Sequence, residues 1–505
     1  MSVMAAPELP PAKRSSSKVL YPSLYEINTR VLLRSLQGNS SHGKTLDDIP
    51  DEMLDGWASK EFDWIWMLGV WQTGPVGQRI SRTHADFLNE FRHFLPNLSD
   101  ADICGSSFAV AGYSVSDHLG GNAALGRLRK RLADRNLNLM LDFVPNHTAL
   151  DHPWVANHPE YYIAGSEADV AHEPQNYCRL QSGIFAYGRD PYFPGWPDTL
   201  QLNYAEPRLQ EAMRAELLSI SELCDGVRCD MAMLMLPDVF ERTWHRPSQP
   251  FWPGTIEAVK ARHPDFRFLA EVYWDREWDL QQQGFDYTYD KRLYDRLHAQ
   301  SATPVRDHLK ADPLFQTRSA RFLENHDEPR AAAVFPEEVH KAAAVVSFFV
   351  PGLRFFHQGQ FEGFNVRIPV HVDRGPVEAT NPGISAFYQR LLQSITNDAC
   401  RTGEWHLLDC GPAWDRNWTS DSFICFAWSS GGNPRMVVAV NYSPHQSQCF
   451  VRLPFDDLRG RNVELRDTIG DSVYDRSSDD LLTRGLYLDL PPWGRHVFEI
   501  KDKTR

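Results

Sequence analysis

Apolar positions along this chain gather into short, β-prone runs separated by longer amphipathic stretches. Eight such runs stand out: "LYEINTRV" (24–31), "FDWIWMLGV" (62–70), "LNLMLDFV" (137–144), "DGVRCDMA" (225–232), "FRFLAEVYW" (266–274), "FDYTYD" (285–290), "ARFLEN" (320–325) and "LRFFHQG" (353–359). Near-continuous apolar runs of this length predict strands buried on both faces. Between them the spacing predicts helices: "AALGRLRKRLADR" sets Leu125, Leu128 and Leu132 on one face, and "EPRLQEAMRAELLSISEL" does the same with Leu209, Met213, Leu217 and Ile220. Pro207, directly after Glu206, suits a first helical turn. Strands alternating with helices pair in parallel, and eight of them predict a closed α/β architecture, the (β/α)8 TIM barrel. The structural rival is an open doubly wound sheet, but no G-x-G-x-x-G follows the first strand to support it.

Two regions break the alternation. From Thr148 to about Tyr204 the chain carries prolines at 153, 159, 174, 191, 194 and 197 with little periodicity. A connection of that length inside a compact domain is usually functional. It predicts an inserted subdomain on the barrel rim. After about residue 400, "SFICFAWSS", "RMVVAVNYS", "QCFVRLPF" and "GRHVFEI" are short strands divided by Gly, Asn, Pro and Ser turns, the texture of an antiparallel β-sandwich. The expected organisation is therefore a disordered leader (1–19), a barrel (20–147 and 205–398), an insertion (148–204) and a C-terminal β domain (399–505).

The chemistry lies where the apolar runs end. Four predicted strands deliver an acid there: Asp142 in "LMLDFVPNH", Asp230 in "DGVRCD", Glu271 in "FLAEV" and Asp327 in "FLENHD", accompanied by His147, Arg228 and His326. In β/α barrels the strand ends form the mouth of the site. Converging carboxylates either bind a hard cation or act as acid and nucleophile on a glycosidic bond. Arg228 and Asp230 are two apart on a strand and point the same way, and a guanidinium is a poor neighbour for a metal. It also predicts a lowered pKa for Asp230, as a nucleophile needs, whereas the apolar and aromatic flanks of Glu271 predict a raised one, as a general acid needs. Asp142 is expected to act as a hydrogen-bonding brace behind the pocket.

Bulk properties narrow the partners. Lys plus Arg number 52 against 66 Asp plus Glu, a net charge of −14, which argues against nucleic acid or an anionic membrane. The N-terminal "MSVMAAPELPPAKRSSSKVL" has no apolar core of a secretory signal, and runs such as "AAAVVSFFV" are too short to span a bilayer. A cytoplasmic protein is expected. Eight scattered cysteines with no CxxC predict buried free thiols and neither a zinc site nor a disulfide framework.

"DFVPNH" (142–147), "GVRCD" (226–230), "AEVYW" (270–274) and "ENHDEP" (324–329) resemble, in order and spacing, the four sequence regions of the α-amylase superfamily, glycoside hydrolase family thirteen, in its bacterial type. The resemblance extends over roughly residues 20–500 and implies a barrel, a domain B inserted after the third strand and a C-terminal β-sandwich. Carried over by position, it implies that Asp230 is the nucleophile, Glu271 the general acid/base and Asp327 the third acid, which grips the sugar hydroxyls. Arg228 would orient the nucleophile, His147 and His326 would bind the same sugar, and Tyr113 in "AGYSVSDHLGG" would stack on it. No organic cofactor is implied. Where many starch-cleaving relatives carry a Lys-His pair beyond the nucleophile, this chain has Met233 and Leu234. A family calcium site would fall on Asn146 and Asn203, where an amide replaces the usual acid and lowers affinity for a hard cation.

These features predict a retaining α-glycosidase for maltooligosaccharides, starch- or glycogen-type glucans or small α-glucosides. The rivals are a transglycosylase built on the same residues, a catalytically silent amylase-like binding scaffold, and a metal-dependent barrel hydrolase using Asp142, Asp230, Glu271 and Asp327 as ligands.

Overall fold

The computed structural model describes residues 19–38, 43–431 and 434–503. The expected leader lies almost wholly outside the described residues. Eight parallel strands close into a barrel: β1 (Ser23–Asn28), β2 (Trp64–Leu68), β3 (Asn138–Phe143), β4 (Gly226–Cys229), β5 (Arg267–Ala270), β6 (Tyr287–Tyr289), β7 (Ser319–Arg321) and β8 (Leu353–His357). β8 pairs back onto β1, with Ser23 opposite Arg354. Each of the eight apolar runs holds most of one strand, because each is covered inside by its neighbours and outside by helices.

The first run is shorter than the pattern predicts. Asn28 ends it by accepting a hydrogen bond from the Val31 amide at 3.2 Å, so Thr29–Gln37 is already helix. The two amphipathic stretches form helices Gly121–Ala133 and Pro207–Ser221, the second with Pro207 in its first turn.

Between β3 and β4 the chain leaves the barrel for two small antiparallel ribbons, His147–Ala149 with Thr199–Gln201 and Tyr177–Leu180 with Gly183–Ala186. Past the barrel, an antiparallel six-stranded sheet and a three-stranded sheet enclose a core of their own around Phe423, Val437, Leu465 and Phe498. Three strands there, Asn462–Asp467, Val473–Ser477 and Leu486–Leu490, lack the continuous apolar run that marks the barrel strands. The indole of Trp428 donates to the Phe349 carbonyl at 2.7 Å and ties the sheets to the barrel. All eight cysteines are unpaired; five are buried, while Cys104, Cys178 and Cys410 are partly exposed. Among the described residues no helix is long and apolar enough to cross a membrane.

Candidate active site

Strand register sets the site. Cys229 pairs with Ala270, so the next residue on each strand, Asp230 and Glu271, leaves the barrel at the same level. The ladder continues through both, with Asp230 N donating to Phe143 O at 2.8 Å and Glu271 N to Cys229 O at 3.0 Å. Arg228, fully buried, lies one turn of the pleat below. Its Nη1 donates to Asp230 Oδ1 and its Nη2 to Glu271 Oε2, both at 2.7 Å. Glu271 Oε2 also accepts from the Met231 amide at 2.7 Å, and Tyr273 Oη donates to Oε1 at 2.9 Å. Met231 is held at φ 43°, a strained backbone for a side-chain-bearing residue next to the reacting group.

The polar run after β7 is accounted for atom by atom. Glu324 is buried and pairs with Arg330 at 2.6 Å, and Asn325 Oδ1 accepts from the Asp327 and Glu328 amides at 2.9 and 2.8 Å. The turn thus projects Asp327, whose side chain is 46% exposed, while His326 beside it is buried. His326 Nε2 lies 3.0 Å from Asp327 Oδ2, and its Nδ1 lies 2.5 Å from Glu26 Oε1 on β1. His326 also lines a cavity of about 990 Å³ with Asn28, Arg34, His357 and Phe364; Asp230 and Glu271 do not line it. The Phe108 ring lies 5.1 Å from the Arg228 guanidinium and 5.3 Å from the His326 ring, walling both.

Electrostatics follow from burial and these contacts. Burial raises Glu271 to about 7, against the lowering pull of Arg228 and with help from Asp230 and Asp327. Asp230 is also raised, because its burial outweighs Arg228. This corrects the expectation of a lowered Asp230: the guanidinium is shared with Glu271, and a buried carboxylate pays for lost water first. Burial would lower His326, but Asp327 and Glu26 hold it up at about 10. Asp327 is correspondingly drawn well below the carboxylate range, since His326 outweighs the partial desolvation of its carboxyl. Burial lowers His147 to about 3, which leaves a neutral imidazole.

The remaining predicted residues surround this centre. Asp142 is buried and accepts from Trp66 Nε1 at 3.2 Å and the Gly69 amide at 3.0 Å. Burial raises it to about 6. Tyr113 packs edge-on against Trp71 at 5.5 Å, and its hydroxyl donates to Val144 O at 2.9 Å and accepts from Val144 N at 3.0 Å. His147 is buried under Trp196 of the insertion, with rings 5.1 Å apart.

The residues at the calcium position do not fit a cation. Asn146 Oδ1 accepts from Gln201 Nε2 at 2.9 Å, and the same nitrogen lies 3.1 Å from both Asn146 O and Leu202 O. An amide N–H pointing at these oxygens takes the place a cation would need. Asn203 Oδ1 instead accepts from the Ala205 amide at 3.3 Å. Among the described residues no group of three or more His, Cys, Asp or Glu is placed to hold a metal ion.

Glu26, Phe108 and Gln201 also belong to the site and are not among the residues singled out from the sequence. Glu26 had a legible signal, a single carboxylate inside an apolar strand; the others carried none.

A closed parallel barrel with buried acids at the ends of its strands defines a glycosidase-like architecture. The chain belongs to the α-amylase family: the family model for the alpha amylase catalytic domain matches residues 108–409. It is 23% identical over 304 residues to Alpha-amylase 3 of Dictyoglomus thermophilum, covering 54% of this chain and 58% of that protein. It is 26% identical over 266 residues to the trehalose synthase of Thermus thermophilus, covering 45% of this chain and 27% of that protein. The chain thus spans less than two thirds of the length of these curated relatives. In fold it is similar to a maltogenic alpha-amylase from Thermotoga neapolitana, with TM-score 0.68 and 18% identity over 95% of this chain and 98% of that one.

Proposed function

We propose that this chain is a retaining α-glycosidase acting on α-glucosidic bonds of maltooligosaccharides, starch- or glycogen-type glucans or small α-glucosides. The observation that carries the reading is the single Arg228 guanidinium placed between Asp230 and Glu271. In this reading Glu271, raised to about 7, donates a proton to the leaving oxygen while Asp230 bonds to the anomeric carbon. The resulting glycosyl ester is then cleaved by water, whose proton returns to Glu271. Arg228 orients the Asp230 carboxylate and offsets part of the effect of its burial. Asp327 and the His326 imidazolium grip neighbouring hydroxyls, and neutral His147 supplies a further hydrogen bond. No step requires a metal or an organic cofactor. Eight unpaired thiols support a reducing compartment, hence a cytoplasmic place of work.

A second reading, transglycosylation, uses the same residues with a sugar hydroxyl in place of water, and the likeness to a trehalose synthase favours keeping it. The test is a product profile on maltooligosaccharides, soluble starch and small α-glucosides, with and without free sugar acceptor. Asp230→Asn and Glu271→Gln should each abolish turnover. Activity surviving either change, or none in the wild type, overturns the reading, and the ratio of transfer to hydrolysis products decides between the two activities.

A further inference from the structure

Three of the eight cysteines converge in the C-terminal sheets. Leu408, at the end of the strand Glu404–Leu408, pairs with Cys425 in the six-stranded sheet. Two residues later Cys410 pairs with Val451 in the three-stranded sheet, so the chain changes sheets at Asp409. Paired residues share a face, and so do residues two apart on one strand. Cys449, two before Val451 and opposite Pro412, therefore lies on the same face as Cys410, one diagonal step away. Cys425 and Cys449 are buried in the core between the sheets, and Cys410 packs against that core while staying partly exposed. The Cys410 sulfur is hydrogen-bonded to both of the others.

These contacts change the chemistry of one thiol. Donation from Cys425, and next from Cys449, holds Cys410 well below the ordinary thiol range against the raising effect of its burial. The Arg306 guanidinium adds to the lowering; its Nη1 donates to the Phe423 carbonyl at 2.8 Å, which anchors it beside this corner. The other seven cysteines are shifted the opposite way. The thiolate is the form that attacks electrophiles, and a thiolate reachable from solvent with resolving thiols against it is the arrangement of a redox-responsive site. The three sulfurs are not placed to hold a metal ion.

We propose that Cys410 is an oxidisable thiol that reacts with a hydroperoxide and then closes a reversible disulfide with Cys449 or Cys425. The Cys410 thiolate attacks one peroxide oxygen. The S–O bond forms as the O–O bond breaks, and the departing oxide takes a proton and leaves as water or an alcohol. The sulfur has then given up two electrons and the peroxide has gained them. The neighbouring thiol attacks the sulfenic sulfur: the S–S bond forms, the S–O bond breaks, and hydroxide leaves as water with the thiol's proton. A small dithiol reverses the closure by exchange and ends as its own disulfide. The bond pins the point where the chain changes sheets. A transient disulfide of this kind agrees with the reducing compartment proposed above, and the site is independent of the glycosidase chemistry at the barrel mouth.

The test treats the reduced full-length protein with a small excess of hydrogen peroxide, followed by an acid quench. Thiols titrated after denaturation should fall from eight to six, with one linked peptide pair joining Cys410 to Cys449 or Cys425, and dithiothreitol should restore all eight. Cys410→Ser should pass through the same treatment without forming a disulfide. The Cys425→Ser/Cys449→Ser double variant should stop at the sulfenic acid, which dimedone labels at Cys410. Limited alkylation of the wild type with iodoacetamide at pH 6 needs no variant to fold: Cys410 should react at least about tenfold faster than Cys104 and Cys178, the other partly exposed thiols. Eight thiols surviving the peroxide, a disulfide formed in Cys410→Ser, or Cys410 alkylated no faster than Cys104 and Cys178 each overturn the proposal.

Discussion

Asp230 and Glu271 are joined through one cation: the Arg228 guanidinium donates to each at 2.7 Å, using a different nitrogen for each. The fork geometry of arginine makes this bridge, and a lysine, with one compact charge, cannot span both carboxylates. Removing the cation leaves two buried acids facing one another. Arg228→Met is expected to destabilise the fold by about 3–5 kcal/mol, the range for a broken buried pair. Arg228→Lys should retain part of that stability yet lose at least about a hundredfold in turnover, because one acid is left without its donor. Urea unfolding and steady-state kinetics on the two variants check both statements.

The raised Glu271 gives the pH dependence. Its carboxyl titrates at about 7, and the proposed chemistry needs it protonated in the free enzyme. The kcat/KM profile should therefore fall on the alkaline side with an apparent pKa near 7. The stability sign agrees: a raised carboxyl pKa favours the fold fully below the unfolded value near 4.3 and loses that contribution as pH rises through 7. Tyr273→Phe removes a donor to the ionised form and should move the limb upward by a few tenths of a unit. An alkaline limb at the same pH in that variant would mean that Tyr273 does not tune the acid.

The barrel was legible because its strands lie in short, largely apolar runs, and the acids were legible because they stand at or just beyond the ends of those runs. What could not be read is what distance along the chain conceals. Glu26 holds His326 from 300 positions away, and Arg228 reaches Glu271 across 43. The tuning of Asp230 was misjudged for a related reason: an adjacent arginine is visible in sequence, whereas the degree of burial is a property of the whole mouth. The side chain that faces Asn146 is that of Gln201, which only the antiparallel pairing of His147 with Gln201 reveals. In the C-terminal sheets, Val473–Ser477 is largely exposed, so its polar sequence gave no strand signal.

Gln201 makes a specific prediction about metal. Its amide nitrogen meets three oxygens between barrel and insertion, so a chelator should leave the melting temperature of the wild type unchanged. Gln201→Ala strands buried acceptors and should cost about 1–3 kcal/mol. Gln201→Glu replaces a donor by a carboxylate facing Asn146, which restores the ligand chemistry of a hard cation. That variant should be less stable than wild type without calcium and recover with it. Thermal melts with calcium or chelator separate these outcomes, and a wild type destabilised by chelator would show that the amide is not the tie.

The Glu26–His326–Asp327 chain links stability to pH at the other end of the scale. His326 is held protonated to about 10 between two carboxylates. A histidine with a raised folded pKa contributes stability in full below its unfolded value near 6.5 and loses it as pH rises through the folded one. Between about pH 7 and 10 the wild type should thus lose stability gradually. Glu26→Gln keeps the shape but removes one of the two charges, so the folded pKa of His326 drops and the loss shifts toward neutrality. The imidazolium and Asp327 act together on the sugar hydroxyls in the proposed mechanism, so the same variant, in which His326 loses its proton nearer neutrality, should weaken turnover at pH 8 more than at pH 6. Unfolding free energies across pH 6–10 and the ratio of kcat at the two pH values test the linkage. Parallel wild-type and variant curves would show that Glu26 positions His326 without setting its charge.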